Sequence, residues 1–200
     1  SKCDAQSPKW LGQCSTCGGW GTLMQAHVAR HAAGAATRIR VEDIPMLDDL
    51  PTNPVRHIPS GIGEFDAAIG GGIVPGSLLL LAGEPGVGKS TLALQVAAAM
   101  TVDSRQSTGV REVLYVSGEE TADQVRGRAE RLGVSTARIR LFATNDGSAA
   151  AGAIAQLKPR LAIVDSIQTL TIPDLPVDAG GVTQVRALAN LLLATAKTSG

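Results

Sequence analysis

The chain has 200 residues, with 18 basic against 18 acidic side chains, a formal net charge of zero and 44% hydrophobic residues. That balance excludes a bulk electrostatic pull toward nucleic acid or anionic surfaces, leaving only local patches to act that way. The length suits one domain of about 150 residues plus a small appendage, and with aromatics at 2% the core has to be built from Leu, Ile, Val and Ala. No run of 18 apolar residues occurs, which excludes a membrane-spanning helix. The N-terminus lacks a basic-then-apolar leader pattern, so a cytoplasmic protein is expected.

The cysteines come first. Cys3, Cys14 and Cys17 are the chain's three thiols and all fall within its first 17 residues. In a reducing compartment such clustering points to a metal rather than to disulfides. Cys14-Ser15-Thr16-Cys17 has the spacing of a zinc knuckle, and a structural zinc takes four tetrahedral ligands. If Cys3 ends a first C-x-x-C, the missing cysteine stands just before Ser1, and the chain is expected to be a fragment cut inside its own zinc module. His27 is the alternative fourth ligand, and three thiols without metal is the alternative to any site. A redox C-x-x-C lacks the βαβ surroundings it needs. Residues 1–26 are thus expected to be a truncated zinc module with Trp10 and Trp20 packing its small core. Residues 27–56 read as a linker, broken by Pro45, Pro51 and Pro54.

Residues 57–200 alternate. Gly61–Ile69 is expected to be a short helix and Gly70–Gly76 a sharp turn. Ser77–Ala82 is then an apolar strand running into Gly83-Glu84-Pro85-Gly86-Val87-Gly88-Lys89-Ser90. This is a complete G-x-x-x-x-G-K-[ST] phosphate loop, and Thr91–Ala98 leaves it as a helix. Glycines let the backbone wrap phosphates with N–H groups inward, and the helix N-terminus adds its positive end. Lys89 is expected to reach the β- and γ-phosphates and Ser90 to ligate Mg²⁺, with Gly83 through Thr91 forming the nucleotide contacts.

Downstream, Glu112–Ser117 reads as a strand, and Thr121–Leu132 as a helix capped by Thr121 and closed by Gly133. Arg138–Ala143 is a strand, Gly147–Leu157 a helix, Leu161–Asp165 a buried strand, Pro173–Gly181 a loop and Thr183–Lys197 the last helix. Strands alternating with helices imply an α/β fold with a mainly parallel sheet flanked by helices. No strand follows the last helix, so the sheet is expected to be unfinished at Gly200.

Asp165 ends its strand where open α/β sheets place ligands, and is the candidate second magnesium acid. Glu119 and Glu120 follow the strand expected to lie beside the loop strand. One of them, with Glu119 favoured, is the candidate base that polarises the attacking water; the alternative is a pair of acids serving the dipole of the next helix. Ser166 and Gln168 are candidate γ-phosphate sensors, against a plain solvated turn. Arg126, Arg128, Glu130 and Arg131 read as a solvated helix face, and Arg186 as a residue facing DNA or a neighbouring subunit.

In combination these segments are similar to the bacterial RadA (Sms) family of RecA-like DNA repair ATPases. The matching stretches are Cys3 with Ser7–Trp20, Gly70–Ser77, the phosphate loop, Tyr115–Glu120 and Val164–Thr169, in that order and over essentially the whole chain. The resemblance implies a RecA-like P-loop core behind a small zinc-ribbon-like module, using ATP, Mg²⁺ and Zn²⁺. It implies a DNA-dependent ATPase of recombinational repair that processes and branch-migrates recombination intermediates with RecA, binding single-stranded and branched DNA as a homo-oligomeric ring, six subunits being the expected number. It carries ATP binding onto Gly83–Ser90, the second magnesium acid onto Asp165, the catalytic glutamate onto Glu119 and a DNA-contacting loop onto Thr171–Val182. There are departures. The first zinc cysteine is absent, Asp66–Ile69 replaces a more polar segment, and neither the family's Lys-Asn-Arg-Phe-Gly segment nor its Lon-protease-like domain occurs here. Poor nucleotide binding or slow hydrolysis is therefore expected of these residues alone, since ring neighbours complete such sites. A KaiC-like nucleotide-gated regulatory ATPase without a DNA role is the competing reading; the zinc module favours the first. A third, a zinc-dependent DNA-binding module carrying an inert nucleotide fold, is disfavoured by the intact Lys89, Ser90, Asp165 and Glu119.

Overall fold

The computed structural model describes residues 12–21, 40, 42, 44–51, 54–102, 112–173 and 179–199. The chain divides into two compact units, Ser1–Thr52 and Asn53–Gly200.

In the first unit, residues 12–21 fold back on themselves. Gln13 and Trp20 form an antiparallel bridge. The Cys14 N–H donates to Gly19 O and the Gly18 N–H to Cys14 O, both at 2.9 Å. Gly18 takes a φ of +70°, which closes the turn after the second cysteine at no steric cost. Trp20 is 76% exposed rather than packed in a core. Cys3, Trp10 and His27 lie outside the described residues. A single 3₁₀ turn follows at Leu47–Asp49.

The second unit runs α1 (Gly63–Ala68), α2 (Lys89–Val102), β1 (Val113–Ser117), α3 (Ala122–Leu132), β2 (Ile139–Ala143), α4 (Gly147–Leu157), β3 (Leu161–Asp165) and α5 (Val182–Ser199). The sheet is parallel in the order β2-β1-β3, with Val113 opposite Ile139 and Leu161, and Ser117 opposite Ala143 and Asp165. Because side chains alternate across a strand, β1 feeds two cores. Val113 and Tyr115 pack with Leu94, Val96, Ala97 and Met100 of α2 and Val125 and Ala129 of α3. Leu114 and Val116 pack with Ala150, Ala151 and Ile154 of α4 and Leu188 and Leu192 of α5. The expected α/β layering therefore holds, with α2 and α3 on one face and α4 and α5 on the other.

Local signals account for the helix ends. Thr121 and Gln124 form a reciprocal capping box on α3, and Gly133 closes it in the left-handed conformation. Asp146 caps α4 by accepting from Ser148 and Ala149 N–H.

One expected element differs. Ser77–Ala82 has no strand partner among the described residues, and Leu78, Leu79, Leu80 and Leu81 are 43%, 49%, 78% and 48% exposed. An extended apolar run becomes a strand only when a neighbour takes its backbone N–H and C=O groups. β1 has one on each side, and this run has none among the described residues.

Candidate nucleotide site

The phosphate loop is a glycine-shaped turn heading a helix. Gly86 and Gly88 hold φ of +78° and +101°, backbone that L side chains rarely adopt. Nothing lies within 4 Å of where a Cβ on either would stand, so the backbone is open at both glycines. The first N–H used inside α2 is that of Leu92, which donates to Gly88 O at 2.9 Å; the amides of Lys89, Ser90 and Thr91 come before it, among the orphan donors of a helix start. Lys89 Nζ donates to Gly83 O at 2.9 Å and Glu84 O at 2.8 Å. The loop thus holds its ammonium at its own mouth through two carbonyls that an anion can replace. Gly83, Glu84, Pro85 and Val87 are exposed and Ser90 is half-buried.

A second cluster stands at the carboxyl ends of β1 and β3. Asp165 is on the sheet face that α2 covers: it pairs in register with Ser117, two residues beyond Tyr115, and Tyr115 packs against α2. The Tyr115 hydroxyl, 1% exposed as a residue, donates to Asp165 Oδ2 at 2.6 Å. Burial, and then the bond to Asp165, push the phenol far above its ordinary value, so it stays protonated and remains a donor. Gly118 N–H donates to Asp165 O at 3.0 Å, and the Asp165–Ser166 peptide is cis. Gly118 is required by space, since a Cβ there would fall on Thr169 Oγ1.

The two glutamates part company. Glu119 is exposed and accepts from Ser166 Oγ at 2.8 Å, which ties the ends of β1 and β3 together. Glu120 is half-buried and ion-paired to Arg128 Nη2, and Ser117 Oγ bonds its backbone N–H and C=O at 3.0 and 2.7 Å. Arg128 is accordingly not part of a solvated helix face. Its side chain is 21% exposed, whereas Arg126 and Glu130 form an exposed i,i+4 pair at 3.3 Å. Spacing along α3 does not reveal this, because the partner precedes the helix.

Of the segment Thr171–Val182, residues 174–178 lie outside the described residues. Gly180 within it, and Ile167 and Leu170 just before it, are stitched to α5 by Gln184, buried at 1% exposure. The Gln184 amide donates to Ile167 O and Leu170 O and accepts from Gly180 N–H at 3.0 Å. Gln168 and Arg186 are exposed. Tyr115, Ser117 and Gln184 were not singled out by sequence. For Tyr115 a signal existed: a lone tyrosine in an aliphatic run must find a partner for its hydroxyl once buried.

Cys14 is buried and Cys17 exposed. No group of three metal-ligating side chains stands together among the described residues. Two clefts there, one lined by Glu112, Arg140 and Lys158 and one by Ile62, Gln95 and Val134, involve none of the phosphate-loop residues. No described helix is long and apolar enough to cross a membrane.

The chain is similar to several known proteins. A family model described as AAA domain matches residues 47–194. DNA repair protein RadA of Mycolicibacterium smegmatis is 43% identical over 204 residues, covering 100% of this chain and 42% of the relative. RadA of Mycobacterium tuberculosis H37Rv is 43% identical over 206 residues, with 100% and 41% covered. RadA of Bacillus subtilis is 37% identical over 203 residues, with 99% and 43% covered. The chain thus spans about two fifths of the length of these curated relatives. Among solved structures, the flagellar accessory protein FlaH of Methanocaldococcus jannaschii superposes with a TM-score of 0.48 at 23% identity, over 67% of this chain and 63% of that one. With the AAA domain model matched across the phosphate loop, the sheet and α5, and RadA-like sequence along the whole length, the chain belongs to the AAA domain family as a RadA-like member.

Proposed function

We propose that the chain is the nucleotide-binding part of a DNA repair ATPase, and that its ATPase is DNA-dependent and serves recombination intermediates together with RecA. The observation that carries the reading is the phosphate loop heading α2 on the same sheet face as Asp165. The donors fit a magnesium nucleotide: helix-start amides and Lys89 for the phosphates, the Ser90 hydroxyl and the Asp165 carboxylate for the ion and its water shell. Magnesium, when bound, neutralises charge developing on the phosphates. Glu119, exposed at the end of β1 and hydrogen-bonded to Ser166, is the base that orients water; Glu120, committed to Arg128, fixes the start of α3.

The names of the relatives support the repair role. Single-stranded and branched DNA, a ring of subunits and a cytoplasmic location belong to the same proposal, with Thr171–Val182 as the DNA-facing loop. The turn at Cys14–Cys17 suits two thiolates of a zinc knuckle, with Cys3 as a third ligand. The domain proposal is a zinc module over 1–26, a linker over 27–56 and the ATPase core over 57–200.

The test is ATP turnover with and without single-stranded DNA, on a protein of its relatives' length. Stimulation by DNA, lost in Lys89→Ala without a change in melting temperature, is expected. Turnover indifferent to DNA favours the KaiC-like regulatory reading, and undiminished turnover in Lys89→Ala removes the loop from the chemistry.

A further inference from the structure

We infer that Tyr115 is the positioning residue for the magnesium carboxylate, its hydroxyl holding one oxygen of Asp165 so that the other serves the metal's water shell. The inference rests on the reading that Asp165 handles magnesium. The terminal torsion of an aspartate is broad and roughly two-fold, so a carboxylate at a strand end does not orient itself. The chain's only tyrosine sits two residues before Asp165's register partner on the adjacent strand. Two residues of strand span about 6.6 Å, close to the reach of a tyrosine side chain. The O–H···O bond at 2.6 Å selects Oδ2, leaving Oδ1 as the carboxylate's other acceptor.

The clamp is stiff because its ring is locked. Tyr115 lies in the cluster with Leu94, Met100, Val125 and Ala129, so the hydroxyl is placed by packing from two helices. Helix α2, which packs on it, is the same helix that begins with Lys89 and Ser90. One rigid group therefore sets the carboxylate relative to the element that carries the loop. Of the flanking groups, Ser166 Oγ donates to Glu119, and Arg128 pairs with Glu120 through Nη2 while its buried Nη1 has no hydrogen-bond partner among the described residues.

Outer-sphere partners of a metal ligand cost about 10- to 100-fold in metal affinity when removed. The experiment titrates Mg²⁺ against a fluorescent N-methylanthraniloyl ATP analogue bound to wild type, Tyr115→Phe, Asp165→Asn and the double variant. Binding of the analogue in EDTA serves as the control for an intact loop. Tyr115→Phe keeps the ring and is expected to leave EDTA binding unchanged while raising the Mg²⁺ midpoint about tenfold. Asp165→Asn is expected to raise it more, and Tyr115→Phe to add nothing in that background. Tyr115→Leu, which also lacks the hydroxyl, is expected to show the same shift at a larger stability cost. A shift in Leu but not in Phe overturns the inference, because packing and not the hydroxyl is then responsible. An unmoved midpoint in Tyr115→Phe beside a raised one in Asp165→Asn overturns the clamp alone. An unmoved midpoint in Asp165→Asn overturns the magnesium reading and the clamp with it.

Discussion

Val113–Ser117 and Leu78–Ala82 are both short apolar runs leading into glycine-containing loops that carry site residues. All five residues of the first are buried, between β2 and β3 and under helices on both faces. In the second, four leucines stand 43–78% exposed and no strand pairs with them among the described residues. Hydrophobicity does not separate the two; neighbours do. β1 is held because its N–H and C=O groups are taken on both edges and its side chains reach two cores. The phosphate loop is thus fed by the run with fewer constraints, and the Asp165 cluster by the run with the most.

The sharpest way to break this contrast is to cut the same side chain from each run. Leu114 is 2% exposed and Leu80 78%. Leu114→Ala should cost about 3 kcal/mol, a transfer loss plus a cavity. Leu80→Ala should stay within about 0.5 kcal/mol, as for other exposed positions. Urea unfolding of both variants measures the difference, and equal costs would show that the leucine run is packed in solution. Amide exchange sharpens the same point: the β1 amides should exchange only with global opening, and those of Leu78–Leu81 at nearly the rate of an unfolded peptide.

The next effect concerns the loop that β1 feeds. A Cβ on Gly118 would land on Thr169 Oγ1, so Gly118→Ala should cost about 2 kcal/mol by overpacking. Thr169→Ala in the same chain should recover most of it, measured as non-additivity in a double-mutant cycle. Simple additivity would mean the loop moves aside and that β1's rigidity ends at Ser117.

Elements whose signals are local were legible. Gly147–Leu157 and Leu161–Asp165 form with the bounds that spacing predicts. α3 is capped by Thr121 and closed by Gly133, as the residue types require. Thr121→Ala, which removes half of the capping box, should accordingly cost about 1 kcal/mol in a thermal melt; a negligible loss would mean that α3 is held by Val125 and Ala129 alone. What spacing could not carry was pairing across distance. Tyr115 reaches Asp165 across 50 residues, and Gln184 reaches back to Ile167 and Leu170. Arg128 finds its partner in a glutamate outside the helix, whereas Arg126 pairs within it. The failed strand at Ser77–Ala82 belongs to the same class, because a run's own residues say nothing about which partners are present to accept its hydrogen bonds.

The smallest effect tests where the loosely held region begins. Upstream of the leucine run the chain is pinned: Ile58 and Ile73 exchange two backbone bonds of 2.8 Å, and the Asp66 carboxylate accepts twice from Ser60 N–H, at 2.8 and 3.1 Å. That backbone bond, followed by the Ser60 side-chain bond, holds the Asp66 carboxyl below its ordinary value of 3.8. The folded form binds this proton less readily than the unfolded form, so the contribution to stability is present in full above about pH 4 and fades as pH falls through the folded value. Asp66→Asn should therefore lower the melting temperature slightly at neutral pH and leave it nearly unchanged near pH 2, narrowing the gap between variant and parent as acid is added. Amide exchange at Ser60 and Ile73 should quicken in the variant, moving the start of the loose region from Gly76 back toward Ile58. No gap at any pH would show that the pin is the backbone bridge alone, with the carboxylate a bystander.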